Sequence, residues 1–270
     1  MPEENSYPDL DEAIDHPQWS IIFALFLLVV YYFSHSIQYF LLSSIFKLTK
    51  TVPTEGFQQL LKLVLPTFTD LAPLLVIYLA ITRFYKLPFW PTFGWSWSER
   101  LRMTFGGDRF SPRTTTLFAG IFLALASGFV ATIIPGPPTT LDSAIDTSPL
   151  TMFGWMLSGV LTTPLLEELL FRGILYPALL KKTGDNLRGK IFAIAGTTIA
   201  FSAIHIRVYQ NSEGVPHIGH LSGIALAAIC FTLMRAYTKR LLPCYFLHLI
   251  FNLCPTLLIT AYFIYHFFFR

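Results

Sequence analysis

The sequence predicts an all-α, polytopic transmembrane bundle of about seven to eight spans, with a polar cavity between helices. Three observations carry this. Hydrophobic residues make up 53% of the 270 and charged residues only 13%, with 26 Phe and a mean hydropathy of +0.55; soluble domains hold about a quarter charged residues. The apolar residues are gathered into long blocks separated by short polar stretches, and seven blocks reach or approach the ~20 residues of a membrane-crossing helix. Only helices and closed barrels satisfy their backbone hydrogen bonds in lipid, and continuous apolar runs of this length favour helices.

The blocks run from Trp19 to Leu42, Val64 to Tyr85, Thr115 to Ile134, Leu150 to Leu180, Ile191 to Ile206, Ile218 to Tyr237 and Pro243 to Phe269. Ahead of them lies an acidic tail, MPEENSYPDLDEAIDHPQ, with no Lys or Arg. A secretory signal begins on basic residues, so the first block reads as a retained helix. The fourth and last blocks are long, and Pro164 and Pro255 mark their expected kinks. The chain therefore divides into a tail (1–18), N-terminal membrane helices with their connections (19–114) and a membrane core (115–270).

Basic residues assign the sides of the membrane. Arg83, Lys86, Arg100, Arg102, Arg109 and Arg113 fall in one connection, Lys181, Lys182, Arg188 and Lys190 in a second, and Arg235, Lys239 and Arg240 in a third. PGPPTTLDSAIDTSP has none. With the three basic connections cytoplasmic, the N-terminus lies inside and Arg270 outside. Lys47, Lys50 and Lys62 run against this scheme unless TEGFQQLLKL lies in the interface. The net charge of +3 and the lack of a basic arm exclude a nucleic-acid partner. Cys230, Cys244 and Cys254 have neither metal nor disulfide spacing and read as small buried apolar side chains.

Ionisable groups inside spans are expensive, so each is a functional candidate. Glu167, Glu168 and Arg172 lie in the fourth block, His205 in the fifth, and His248 with Asn252 in the seventh. Glu168 and Arg172 stand four apart and can pair on one helix face. Glu167 is rotated about 100° from that face, which leaves it an unpaired acid. His248 and Asn252 also share a face. If these helices converge, the set holds a base, a second proton-handling group and two oxyanion donors, which suits water-mediated acyl hydrolysis. A proton-coupled transporter uses a similar inventory, and a buried packing network uses the same residues without chemistry.

EELLFR resembles the EExxxR motif of the CAAX protease and bacteriocin-processing family of intramembrane proteases, also called the Abi family. FSAIH resembles its FxxxH motif and HLIFN its HxxxN motif, in the family's order and in separate spans. The resemblance covers roughly Leu117 to Pro255. It implies that Glu167 activates water with help from His205, that His248 and Asn252 stabilise the oxyanion, and that Glu168, Arg172 and Phe201 support them. It implies an intramembrane endopeptidase whose partners are the bilayer and a protein or peptide substrate. A non-catalytic immunity or binding protein of the same family is the alternative. The prenyl-protein enzymes tend to carry further histidines soon after the FxxxH motif. Here IRVYQNSEGVP follows, and His217 and His220 open the next span, which favours a bacterial-type member in a bacterial cell membrane. HExxH is absent, and Asn252 suits an oxyanion better than zinc, so no cofactor is expected. If zinc is present, Glu167, His205 and His248 supply its ligands.

Overall fold

The structure is a computed structural model that describes residues 17–49, 54, 57, 69–105, 108–139 and 157–269. Several sequence expectations lie outside those residues: the acidic tail before Pro17, Lys50, Lys62, TEGFQQLLKL apart from Thr54 and Phe57, the starts of the second and fourth blocks, the PGPPTTLDSAIDTSP connection beyond Thr139, and Arg270.

Each of the seven blocks forms a helix. They are Ile21–Thr49, residues 69–84, Pro112–Ile133, an interrupted helix at 157–183 called here the motif helix, Leu187–His205, Ile218–Thr238 and Leu241–Phe269. Starts follow ordinary capping chemistry. The Ser111 hydroxyl accepts from the Thr114 N–H at 3.2 Å ahead of Pro112, and Asn186 accepts from the Gly189 N–H at 2.9 Å. His217 does the same for the His220 N–H at 3.2 Å, so the imidazole read as a polar helix end is a cap. A two-stranded antiparallel hairpin, Met103–Phe105 against Asp108–Phe110, lies between the second and third helices. It is the only sheet among the described residues.

Among the described residues, four helices are long and apolar enough to cross a membrane: Pro112–Ile133, Leu187–His205, Ile218–Thr238 and Leu241–Tyr262. The protein is an integral membrane protein, and its side chains are arranged for lipid. On Pro112–Ile133, Leu117, Phe118, Ile121, Phe122, Leu125 and Phe129 are exposed while Thr116, Gly120, Leu123 and Ser127 are buried. Large apolar groups face out and small groups face in, because lipid supplies no hydrophobic drive between helices and close packing must supply the contact. The facing helix matches it with Gly219, Gly223 and Ala227 at four-residue spacing, all buried. A Cβ at Gly223 would come 2.8 Å from the Ser127 carbonyl oxygen, so only glycine allows this approach.

The motif helix is buried without a break from Leu166 to Ala178. It is not a regular span. Ser158–Thr162 and Glu168–Leu175 are π-helical, separated by the short α-helical stretch Thr163–Glu167. Prolines explain how the backbone stays satisfied. The Thr163 N–H bonds Ser158 O, five residues back. The next bond in that register would reach Gly159 O from residue 164, which is proline and has no N–H. Asn252 Nδ2, from the last helix, donates to that carbonyl at 2.8 Å. The pattern repeats one segment later. The Tyr176 N–H bonds Phe171 O; the next donor would be Pro177, and Arg235 Nε instead donates to Arg172 O at 3.1 Å. The same Arg235 guanidinium reaches Phe93 O at 3.3 Å and Lys239 O at 2.8 Å. Read from sequence as a solvated topological charge, Arg235 is buried, because three carbonyls without water need a donor.

Replacing Arg235 with Met leaves buried carbonyls unsatisfied at about 1–3 kcal/mol each. Arg235→Met should therefore melt well below the wild type in detergent; an unchanged melting temperature would remove Arg235 from this role.

Candidate active site

The first helix, the motif helix, Leu187–His205 and Leu241–Phe269 meet at two adjacent glutamates. Both are buried, Glu167 at 4% and Glu168 at 0% exposure. They differ in partners. Arg172 Nη1 donates to Glu168 Oε1 at 3.0 Å, with both side chains fully buried. His248 Nδ1 lies 2.9 Å from the same oxygen. Arg172 Nη2 donates to Ala228 O at 3.1 Å and its Nε to Thr232 Oγ1 at 3.3 Å. Its guanidinium carbon stands 4.4 Å from the Phe201 ring centroid and 5.1 Å from that of Phe231. The charge is thus neutralised by one acid, hydrogen-bonded on three sides and held between aromatic faces.

Glu167 stays outside this pair. Its Oε1 accepts from the Tyr31 hydroxyl at 2.9 Å. His205 Nε2 stands 3.9 Å from Oε1, and His248 Nε2 stands 3.8 Å from Oε2. Both separations are too long for a direct hydrogen bond, and a water or substrate atom lying beside either line can bond both groups. Partners fix the tautomers. A carbonyl only accepts, so His205 Nδ1, 2.7 Å from Phe201 O, carries the proton and Nε2 is left with a lone pair. A carboxylate paired with arginine only accepts, so His248 Nδ1 is protonated as well. Phe201 orients both imidazoles: its ring centroid lies 4.5 Å from that of His205 and 5.9 Å from that of His248.

Glu167, Glu168, Arg172, Phe201, His205 and His248 are therefore brought together from three separate spans. Asn252 lies one turn beyond His248 with one amide N–H committed to Gly159 O. Its second N–H is the one left for other work. His217 and His220 pack ring to ring with centroids 4.2 Å apart, and His220 stacks on Tyr209 at 5.2 Å, whose ring lies 6.4 Å from that of His205.

Two residues of the site were not singled out in the sequence. Tyr31 is one of 12 tyrosines, in an apolar block, and nothing marks it. Asp70 had a signal: it is an acid inside the second apolar block. It is 2% exposed, and its Oδ2 accepts from Thr162 at 3.2 Å and Thr163 at 2.6 Å, at the turn before Glu167.

A catalytic zinc takes three protein ligands at about 2.0–2.2 Å. Glu167 turns one oxygen to each imidazole rather than meeting both at one point. Among the described residues, no group of three His, Cys, Asp or Glu side chains is disposed to hold a metal ion.

Residues 149–254 match the family model described as type II CAAX prenyl endopeptidase Rce1-like. The likeness to that family covers less than half of the chain. The matched segment contains both glutamates, Arg172, Phe201, His205, His248 and Asn252, and leaves out Tyr31 and Asp70. No curated protein and no solved structure gives a significant match.

The two glutamates should respond differently to removal of charge. Glu168→Gln strands a buried guanidinium, a loss of about 3–5 kcal/mol, so the protein should be recovered poorly. Glu167→Gln breaks no ion pair and should be recovered at wild-type yield. Equal yields of the two variants after purification would contradict the division.

Proposed function

We propose that this protein is an intramembrane endopeptidase that hydrolyses a peptide bond of a membrane-embedded or membrane-associated substrate with water activated by Glu167. The observation that carries this reading is a buried carboxylate kept out of the adjacent ion pair, with an imidazole nitrogen 3.8–3.9 Å from each of its oxygens, beyond direct hydrogen bonding. The match to a family of endopeptidases supports it.

In this reading a water between Glu167 and the histidines gives its proton to the Glu167 carboxylate as its oxygen attacks the peptide carbonyl. The His205 Nε2 lone pair accepts a hydrogen bond from that water and orients it. In its doubly protonated form His248 presents an Nε2–H to the same gap. His248 Nε2–H then donates to the developing oxyanion, and the second N–H of Asn252 completes the pair. Glu167 next passes its proton to the amine nitrogen as the C–N bond breaks, which returns the site to its starting state. IRVYQNSEGVP lacks the histidines that prenyl-protein enzymes tend to carry after the FxxxH motif, so the protein is read as a bacterial-type member in a bacterial cell membrane.

Purified protein in vesicles would be offered a hydrophobic membrane-spanning peptide, with and without a farnesylated C-terminus. Glu167→Gln should abolish cleavage. Asn252→Ala should lower turnover by about 10²–10³ and leave residual activity, as loss of one oxyanion donor does. Cleavage should survive a strong chelator. Stoichiometric zinc with reversible chelator inhibition would contradict the glutamate mechanism; proton-coupled flux without cleavage would contradict the enzyme.

A further inference from the structure

We propose that Tyr31 is a positioning residue for Glu167, so that the first helix, outside the matched segment, is a working part of the site. The inference rests on the endopeptidase reading and adds a residue to it. Tyr31 is 7% exposed, and its hydroxyl donates to Glu167 Oε1 at 2.9 Å across 136 residues of sequence. A phenol buried in an apolar cluster with Leu27, Leu166 and Phe171 needs an acceptor, and here it has taken an oxygen of the proposed base.

The consequence is geometric. The last torsion of a glutamate side chain is broad and roughly two-fold. Both oxygens of Glu167 face imidazole nitrogens at distances too long to hold the carboxylate. The Tyr31 hydroxyl, at 2.9 Å, stands at hydrogen-bonding distance from this carboxylate, and it fixes Oε1. Oε2, 3.8 Å from His248 Nε2, is then the oxygen without the phenol bond and keeps its lone pairs for the proton of the attacking water. Positioning of this kind lowers the barrier by removing unproductive orientations. The second helix reinforces the same turn, because Asp70 accepts from Thr163, four residues before Glu167. Two N-terminal helices thus grip the base from outside the motifs.

The test compares Tyr31→Phe with Tyr32→Phe. The neighbouring Tyr32 is 45% exposed and serves as the control for loss of a phenol hydroxyl. Both variants would be assayed in vesicles on the two peptides above. The carboxyl infrared absorption of Glu167, assigned as the band lost in Glu167→Gln, would be recorded in each. A hydrogen bond to a charged group is worth about a 10–100-fold effect. Tyr31→Phe should lower kcat by that factor with KM little changed, keep the wild-type yield and melting temperature, and move the Glu167 band. Tyr32→Phe should do none of these. An unchanged kcat, an unmoved band, or a loss confined to yield and melting would overturn the proposal, since a packing role alone gives that last pattern. A wild-type protein that cleaves neither peptide while the band still moves in Tyr31→Phe would overturn the protease reading and this role with it, and leave the hydrogen bond standing.

Discussion

One oxygen, Glu168 Oε1, accepts from both Arg172 at 3.0 Å and His248 at 2.9 Å. The rest of the site depends on that sharing. The guanidinium pairs with Glu168 and draws it away from the gap. The imidazole bond fixes the ring of His248 and the side on which its Nε2 emerges. Glu167 is then left outside the ion pair, the acid that the proposed mechanism uses. Adjacent residues of like charge take opposite roles because one finds a cation four residues on and the other finds a phenol.

Water is scarce in the hydrocarbon region, and this constraint shapes the backbone as well as the side chains. A π turn inserts an extra residue and often marks a functional site. Here two such turns run into Pro164 and Pro177, and each leaves a carbonyl five residues back without its donor. Asn252 and Arg235 supply the missing N–H groups from other helices. Irregularity in the motif helix and polar residues on its neighbours are therefore one arrangement. It ties the last helix to the motif helix and carries His248 toward the glutamates.

Much of this was legible in the sequence. The seven apolar blocks match seven helices, because block length and polar punctuation report directly on bilayer thickness. The charged residues inside blocks marked the site, because each must be held by something. Periodicity separated Glu167 from the Glu168–Arg172 pair correctly, although the helix there is π rather than α, since the pair closes in either register. Other features were not legible. Arg235 stands within one turn of Lys239 and Arg240 and looked like part of a basic connection; only the fold shows that it points at carbonyls freed by Pro177 and by a loop. Tyr31 resembles any interfacial tyrosine until its hydroxyl has a partner. Asp70 was visible as an acid in an apolar block, and its neighbours Thr162 and Thr163 were not, because hydroxyl pairing between distant segments leaves no periodic trace.

The central claim is that Glu167 activates water rather than attacking the peptide itself. A single-turnover cleavage in ¹⁸O-enriched water tests it most directly. Mass spectrometry of the newly formed C-terminal carboxylate should show one heavy oxygen in the first product released, since the water oxygen goes straight to the peptide carbonyl. A first product carrying only ordinary oxygen, with the label on Glu167, would mean that the glutamate formed a covalent acyl intermediate and would contradict the account.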